Sequence, residues 1–400
     1  MVASFRISRF PHLSVVCAAL ASAAPAAVDI AADNPLIRYS GRWDVANPKK
    51  PRCDWPGTYL QARFGGTSIT VKISGGSNDF NVIIDGIWKS KLTVDGKTSQ
   101  VAAEGLAPGQ HTLLLTKRTE GFNGISTFEG FQLEDGQALG ALPAASGKRI
   151  QFVGDSFTVG YGDEATVTSC PDKRPYDNNY VAYGPVAARE VDAEYSVQAV
   201  SGLGMVHNYG DTSPLSAGPM PPLYEQTLFA APAKWDYSRF QPDIVCIALG
   251  TNDFSTAVKP SQEQYSSAYK QFIAKLRGWH PQARIMLLTY AVDNYQEKYV
   301  AALAVEVIAA GEKNLEHVKL PGVGAGEIGC DWHPNVAGQR KLADALLPAI
   351  RKHYGSSTIL APDRLNGKRE IAAPMKIWLA PWERGDGKLS SDARGRLRAF

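Results

Sequence analysis

The sequence predicts two domains, an all-β sandwich followed by an α/β unit built on a parallel sheet of about five strands. Residues 34–135 hold short β runs divided by turn signals, and no helical period runs through them. Beyond residue 147, apolar runs of strand length alternate with longer segments of helical period, the pattern of a parallel sheet covered on both faces. A chain of 400 residues is also large for a single core.

In chain order, Arg6 and Arg9 precede an apolar run over 13–24 and a small-residue stretch, Ala21-Ser22-Ala23. Residues 1–27 therefore read as a secretory signal peptide, too short to anchor the chain in a membrane. Residues 28–145 form the sandwich domain, of jelly-roll type, with strands expected at 59–64, 68–73, 80–85, 91–94, 111–117 and 126–133. The turns between them carry Gly65-Gly66, Gly75-Gly76, Asp85-Gly86, Asp95-Gly96 and Pro108-Gly109. An Ala/Gly/Pro-rich stretch over 136–147 reads as the linker. The α/β domain occupies 146–354, with strands at 149–153, 195–200, 244–249, 284–290 and 317–320. Its helices are expected at 180–191, 261–279, 296–314 and 335–353. Asn335 caps the last of these, Arg351-Lys352-His353 complement its dipole, and Gly355 ends it. Residues 355–400 lose all periodicity and read as a poorly ordered extension.

The formal net charge of +3 is not that of the folded part. The leader carries two arginines and no acid, and the nine Lys/Arg of the tail outnumber its five Asp/Glu, which leaves the middle at −3. No basic patch stands there, so no nucleic-acid partner is expected. Of the five cysteines, Cys17 belongs to the leader and Cys246 sits inside an apolar strand. Cys170 and Cys330 lie in loops flanking the site described next and are expected to pair, although four cysteines allow three connectivities. No pair has metal-ligand spacing, so neither a metal nor another cofactor is expected.

The chemistry is carried by loops that follow apolar strands. Gly154-Asp155-Ser156 turns sharply off the first strand of the α/β domain and exposes a hydroxyl, with Gly160 and Gly162 letting the loop pack closely. A serine needs a base to become a nucleophile. Among the seven histidines, His333 in Asp331-Trp332-His333-Pro334 is best placed, held extended by Pro334 just before a helix. Asp331, two residues back, is the expected orienting acid at Nδ1. A developing oxyanion needs preorganised donors: Asn252 of Gly250-Thr251-Asn252-Asp253, the Gly202 N–H of Ser201-Gly202-Leu203-Gly204, and the Ser156 N–H. Asp155 and Asp253 are expected to bind loop amides, and His207 is expected to be structural. Trp332, Tyr161 and Trp235 are candidates for a sugar-stacking platform.

Gly-Asp-Ser-Phe, Ser-Gly-Leu-Gly, Gly-Thr-Asn-Asp and Asp-Trp-His-Pro, in that order, resemble the four blocks of the SGNH (GDSL-type) hydrolases. Upstream, His111-Thr112-Leu113, Thr116-Lys117-Arg118-Thr119-Glu120 and Phe128-Glu129-Gly130-Phe131 resemble carbohydrate esterase family 2. The resemblance spans residues 37–354. It implies a flavodoxin-like three-layer fold behind a jelly roll, and a secreted, extracellular esterase that removes acetyl groups from plant-wall polysaccharide such as acetylxylan. It implies Ser156 as nucleophile, His333 as base, and Ser156, Gly202 and Asn252 as the oxyanion hole. Two positions depart from the pattern. Phe157 stands where leucine is usual, and Cys330 occupies the usual place of the acid, for which this family also accepts a main-chain carbonyl. The expected partner is an acetylated polysaccharide or oligosaccharide, and the expected state a monomer without a membrane anchor. The competing readings are a lipid or small-ester hydrolase, and an inert carbohydrate-binding protein.

Overall fold

A computed structural model describes residues 27–96, 99–291 and 295–355. The expected signal peptide lies outside them except for residue 27, and the expected C-terminal extension except for residue 355.

The N-terminal domain is two antiparallel sheets face to face. One runs in the order Val28–Ala31, Ser126–Leu133, Ile69–Ser74, Gln100–Ala103, with Arg52–Cys53 alongside Ser126–Leu133. The other runs Leu139–Gly140, Tyr59–Gly66, Gly109–Lys117, Ser77–Ile84, Ile87–Asp95, with Arg38–Ser40 beside Tyr59–Gly66. Alternating side chains from both sheets, among them Leu60, Phe64, Val71, Phe80, Phe128 and Phe131, fill the space between them. Gly130, at φ +118°, is required by the strand beside it, because a Cβ there would lie 2.0 Å from the Ile30 carbonyl oxygen. All six expected strands are present. The sequence did not separate the two- to four-residue strands, which are too short to show alternation. One of them corrects the linker expectation: Leu139–Gly140 pairs with Phe64 and Arg63, because Leu139 closes the end of the core.

The second domain holds the parallel sheet. Its strands are β1 (Arg149–Gly154), β2 (Glu194–Ala199), β3 (Ile244–Ala248), β4 (Arg284–Tyr290) and β5 (Leu315–Leu320). They lie in the order 2-1-3-4-5, the flavodoxin-like arrangement. The helices are α1 (Tyr183–Arg189), α2 (Gln262–Trp279), α3 (Tyr295–Ala309) and α4 (Val336–Tyr354), with several single turns besides. Helices α2 and α3 cover one face, where Tyr265, Tyr269, Phe272 and Leu303 pack on Val245, Ile247 and Leu287. Helices α1 and α4 cover the other, where Tyr183, Ala187, Leu342 and Leu346 pack on Phe152, Cys246 and Met286. Cys246 is thus the small buried hydrophobe expected of it, and Cys53 is likewise buried and free. Helix α2 starts from a capping box of Ser261 and Gln264. In α4, the Asn335 side chain accepts from the amides of Ala337 and Gly338. The α3 helix ends earlier than the expected residue 314 because the chain must turn at Gly311, φ +109°, into β5.

The two domains share buried structure. Trp55 from the sandwich belongs to the α2/α3-side core, and its indole N–H donates to the Thr227 carbonyl at 3.0 Å. Asp54 accepts from the amides of Phe229 and Ala230, both at 2.9 Å. The buried Arg42 guanidinium donates to the carbonyls of Tyr224 and Gln226 and lies 4.7 Å from the centroid of the Tyr224 ring. Truncating an indole in such a position costs about 3–5 kcal/mol. Trp55→Ala is therefore expected to lower the stability of the whole protein by about that amount in denaturant unfolding. Both domains should still melt in one transition; loss confined to the sandwich would contradict the shared core.

Candidate active site

In an open α/β sheet a crevice forms at the carboxyl edge where neighbouring strands send their connections to opposite faces. Here that point lies between β1 and β3, and Gly154 at the end of β1 is in register with Ala199 of β2 and Ala248 of β3. The three loops that leave those residues carry Ser156, Gly202 and Asn252, so adjacent strands deliver them to one edge.

Ser156 opens a one-turn helix, Ser156–Val159, capped by Asp155, whose carboxylate accepts from the Phe157 amide at 3.1 Å. Burial raises the Asp155 carboxyl to about 7. The sharp turn depends on Gly154, where a Cβ would lie 2.0 Å from the Thr158 hydroxyl. Ser156 itself is 5% exposed, and its Oγ lies 2.8 Å from His333 Nε2.

The other ring nitrogen, Nδ1, lies 3.1 Å from the Cys330 carbonyl oxygen and 3.0 Å from that of Asp331. Both are acceptors only, so the neutral ring keeps its proton on Nδ1 and leaves Nε2 to accept from the serine. This corrects the expectation for Asp331. Its carboxylate turns away and accepts from the Tyr161 hydroxyl at 2.7 Å. The physical reason is backbone conformation. Asp331 and Trp332 both adopt left-handed φ, +46° and +60°, which folds their carbonyl chain under the imidazole and swings the acid outward.

That unfavourable turn is held from several sides. Cys330 is disulfide-bonded to Cys170 across 160 residues, the expected pairing. The Asp331 amide donates to the Thr168 carbonyl at 2.8 Å. Gly162 passes so close that a Cβ would meet Cys330 Sγ at 2.6 Å. Tyr161 stacks on the imidazole with ring centroids 4.3 Å apart, and Phe157 meets the ring edge-on at 5.5 Å. Burial among these groups depresses the His333 pKa below its ordinary value, opposed by the two carbonyls and the Asp331 charge.

Opposite, Asn252 is buried and its amide donates to the Leu203 carbonyl at 2.9 Å; among the described residues no group accepts from its second N–H. Asp253 accepts from the amides of Met205, Val206 and His207 at 2.8, 2.8 and 3.0 Å and so ties the β2 loop to the β3 loop. Gly202, at φ +80°, has open space where a Cβ would be, and among the described residues no group accepts from its N–H. His207 is structural, with Nδ1 2.8 Å from the Ser213 carbonyl and Nε2 3.3 Å from the Thr256 hydroxyl.

The three aromatic candidates separate. Trp332, beside His333, is 59% exposed at the rim. Tyr161 is at the site, but its ring face is used against His333. Trp235 is a correction: it is 6% exposed and lies close to the guanidinium groups of Arg42 and Arg239, 5.2 and 4.7 Å from its ring centroid. Buried and in contact with two cations, one from each domain, it is interdomain packing with too little exposed surface for a sugar.

Residues 39–143 match the family described as Carbohydrate esterase 2 N-terminal, and residues 152–341 the GDSL-like Lipase/Acylhydrolase family. The cellulase/esterase CelE of Acetivibrio thermocellus is 36% identical over 334 residues, which cover 81% of this chain and 40% of that protein. The chain thus spans about two fifths of that relative's length. An acetylxylan esterase / glucomannan deacetylase of Cellvibrio japonicus is 31% identical over 75% of this chain and 85% of its own length. Among solved structures, a family two carbohydrate esterase from Clostridium thermocellum in complex with cellohexaose superposes with TM-score 0.75. It is 32% identical, with 80% of this chain and 99% of that one covered.

The site's electrostatics give a direct expectation. Because burial disfavours the imidazolium, His333 should titrate below the ordinary histidine value of about 6.5 in an NMR pH titration. A value of 7 or higher would mean that a carboxylate, and not two carbonyl dipoles, faces Nδ1.

Proposed function

The chain belongs to carbohydrate esterase family 2, and on that premise we propose that it is a secreted serine esterase that removes O-acetyl groups from plant-wall polysaccharide, acetylated xylan or a related hemicellulose such as glucomannan. The observation that carries the reading is the 2.8 Å contact between Ser156 Oγ and His333 Nε2 at the strand-order switch point.

In this mechanism the Ser156 hydroxyl attacks the acetyl carbonyl as His333 takes its proton. The imidazolium that forms is stabilised at Nδ1–H by the Cys330 and Asp331 carbonyls. The N–H groups of Ser156 and Gly202 and the free amide hydrogen of Asn252 receive the negative charge of the tetrahedral intermediate, worth about 3–4 kcal/mol per donor. His333 returns the proton to the departing sugar hydroxyl and leaves an acetyl group on Ser156. The same base then activates water, which releases acetate. Every proton in this scheme moves between substrate, water, Ser156 and His333, and no cofactor enters it.

A polysaccharide substrate is supported by the names of the relatives and by Trp332, whose exposed indole at the rim is suited to lie against a sugar ring. Secretion is supported by the leader sequence and by the Cys170–Cys330 disulfide, a bond that persists in oxidising compartments.

Ser156→Ala should abolish acetate release from acetylated xylan, with a loss of several orders of magnitude in kcat and an unchanged melting temperature. Retained activity would remove the nucleophile assignment. Nitrophenyl acetate should be preferred over nitrophenyl octanoate, and the opposite preference would favour a lipid hydrolase. Asp331→Asn should lower kcat by less than about tenfold, since asparagine tolerates the left-handed backbone and the ring keeps its two carbonyls. A loss of a hundredfold or more would restore the carboxylate as the orienting acid.

A further inference from the structure

We propose that Glu120, a residue of the β-sandwich, is a positioning residue for the esterase reaction: one of its carboxylate oxygens fixes the oxyanion loop and the other, through Lys173, fixes the ring stacked on the catalytic histidine. The inference rests on the esterase reading above and extends the machinery into a domain to which no catalytic part has been assigned.

Glu120 follows the strand Gly109–Lys117 and is fully buried. A buried carboxylate is costly unless each oxygen is matched to a donor. Here Oε2 accepts from the Ser201 amide at 2.8 Å, one residue before Gly202. The Oε1 atom accepts from Lys173 Nζ at 2.6 Å. Both bonds cross the domain boundary, to partners 81 and 53 residues downstream.

Lys173 carries the effect onward. Its ammonium also donates to Asp177 Oδ2 at 2.8 Å, and it lies 4.6 Å from the centroid of the Tyr161 ring. Tyr161 in turn stacks on His333 and donates to Asp331. The other oxygen of Asp177 accepts from the Gly162 amide at 2.7 Å, beside Tyr161 in the chain. Burial disfavours the Lys173 charge, yet Glu120 and Asp177 together hold its pKa above the ordinary value, so the ammonium stays charged over the tyrosine.

Neighbouring sandwich residues grip the same loop. Arg118 donates to the Asp177 carbonyl at 3.1 Å and pairs with Glu164, and Asn81 donates to Asn178 at 2.8 Å. These contacts locate the 162–178 loop, but Glu120 alone among them also reaches the oxyanion loop. It therefore sets the separation between the donors that receive the oxyanion and the imidazole that moves the proton. A misplacement of about 1 Å between such groups costs about a hundredfold in rate.

The test is kinetics of Glu120→Gln and Glu120→Asp on nitrophenyl acetate and acetylated xylan, normalised to folded protein by circular dichroism. Glutamine keeps the volume and only one acceptor oxygen; aspartate keeps the charge but is one methylene too short to reach both partners. Both should lower kcat by about ten- to a hundredfold while KM moves less than about threefold, because the groups affected act in the transition state. A kcat within twofold of wild type for folded Glu120→Gln would reduce Glu120 to interdomain glue and overturn the proposal. Should both variants fail to fold, Lys173→Gln tests the link from its other end under the same two criteria. Failure of the esterase reading itself would look different: wild type would release no acetate, or Ser156→Ala would retain activity.

Discussion

The site depends on how the His333 ring is held. Its Nε2 faces a serine hydroxyl and its Nδ1 faces two main-chain carbonyls, with no carboxylate in contact. A carbonyl dipole fixes the tautomer as well as an acid does, but attracts the imidazolium less strongly. The ring therefore remains a free base to lower pH, and its orientation depends on the turn that supplies the carbonyls. That turn uses two consecutive left-handed residues, neither of them glycine, which the chain adopts only where surrounding structure enforces it. The disulfide, the Thr168 carbonyl, the bare Cα of Gly162 and the Tyr161 ring provide that enforcement.

Strand order explains why Ser156 and the proposed oxyanion donors Gly202 and Asn252 converge without being near in sequence. The 2-1-3-4-5 arrangement puts β1 between β2 and β3, so the loops bearing Gly202 and Asn252 flank the loop bearing Ser156. Asp253 and Asn252 then tie the two flanking loops together, with three amide bonds and one carbonyl bond. The sandwich is part of the same rigid arrangement. Trp55, Asp54 and Arg42 bond to the 224–230 segment of the α/β domain, and Glu120 accepts from the Ser201 amide beside Gly202.

Much of this was legible in the sequence, where local chemistry decides the outcome. Strands β1 to β4 are buried along almost their whole length and read as largely apolar runs, whereas the edge strand β5 is only part-buried, and Ser261 and Asn335 stand at the starts of α2 and α4. Ser156 and His333 stand out because only a few positions follow a buried strand or precede a proline-started helix. What sequence could not give is set by contacts between distant segments. Nothing in the order of residues separates an exposed tryptophan such as Trp332 from one buried against two arginines, as Trp235 is. Asp331 was misassigned because spacing places a carboxylate near the ring, whereas the sign of φ decides which way it points. Glu120 stood in a block that carries the family resemblance, but nothing local gave it a role, since both partners of its carboxylate lie in the other domain.

Whether Ser156, His333, Gly202 and Asn252 form one reacting site is tested most directly by a crystal structure of the protein inactivated with diethyl nitrophenyl phosphate. The phosphorus should be bonded to Ser156 Oγ, with the phosphoryl oxygen about 3 Å from the N–H groups of Ser156 and Gly202 and from the Asn252 amide. His333 Nδ1 should still face the two carbonyls. An adduct on another residue, or a phosphoryl oxygen pointing away from Gly202 and Asn252, would contradict a single reacting site.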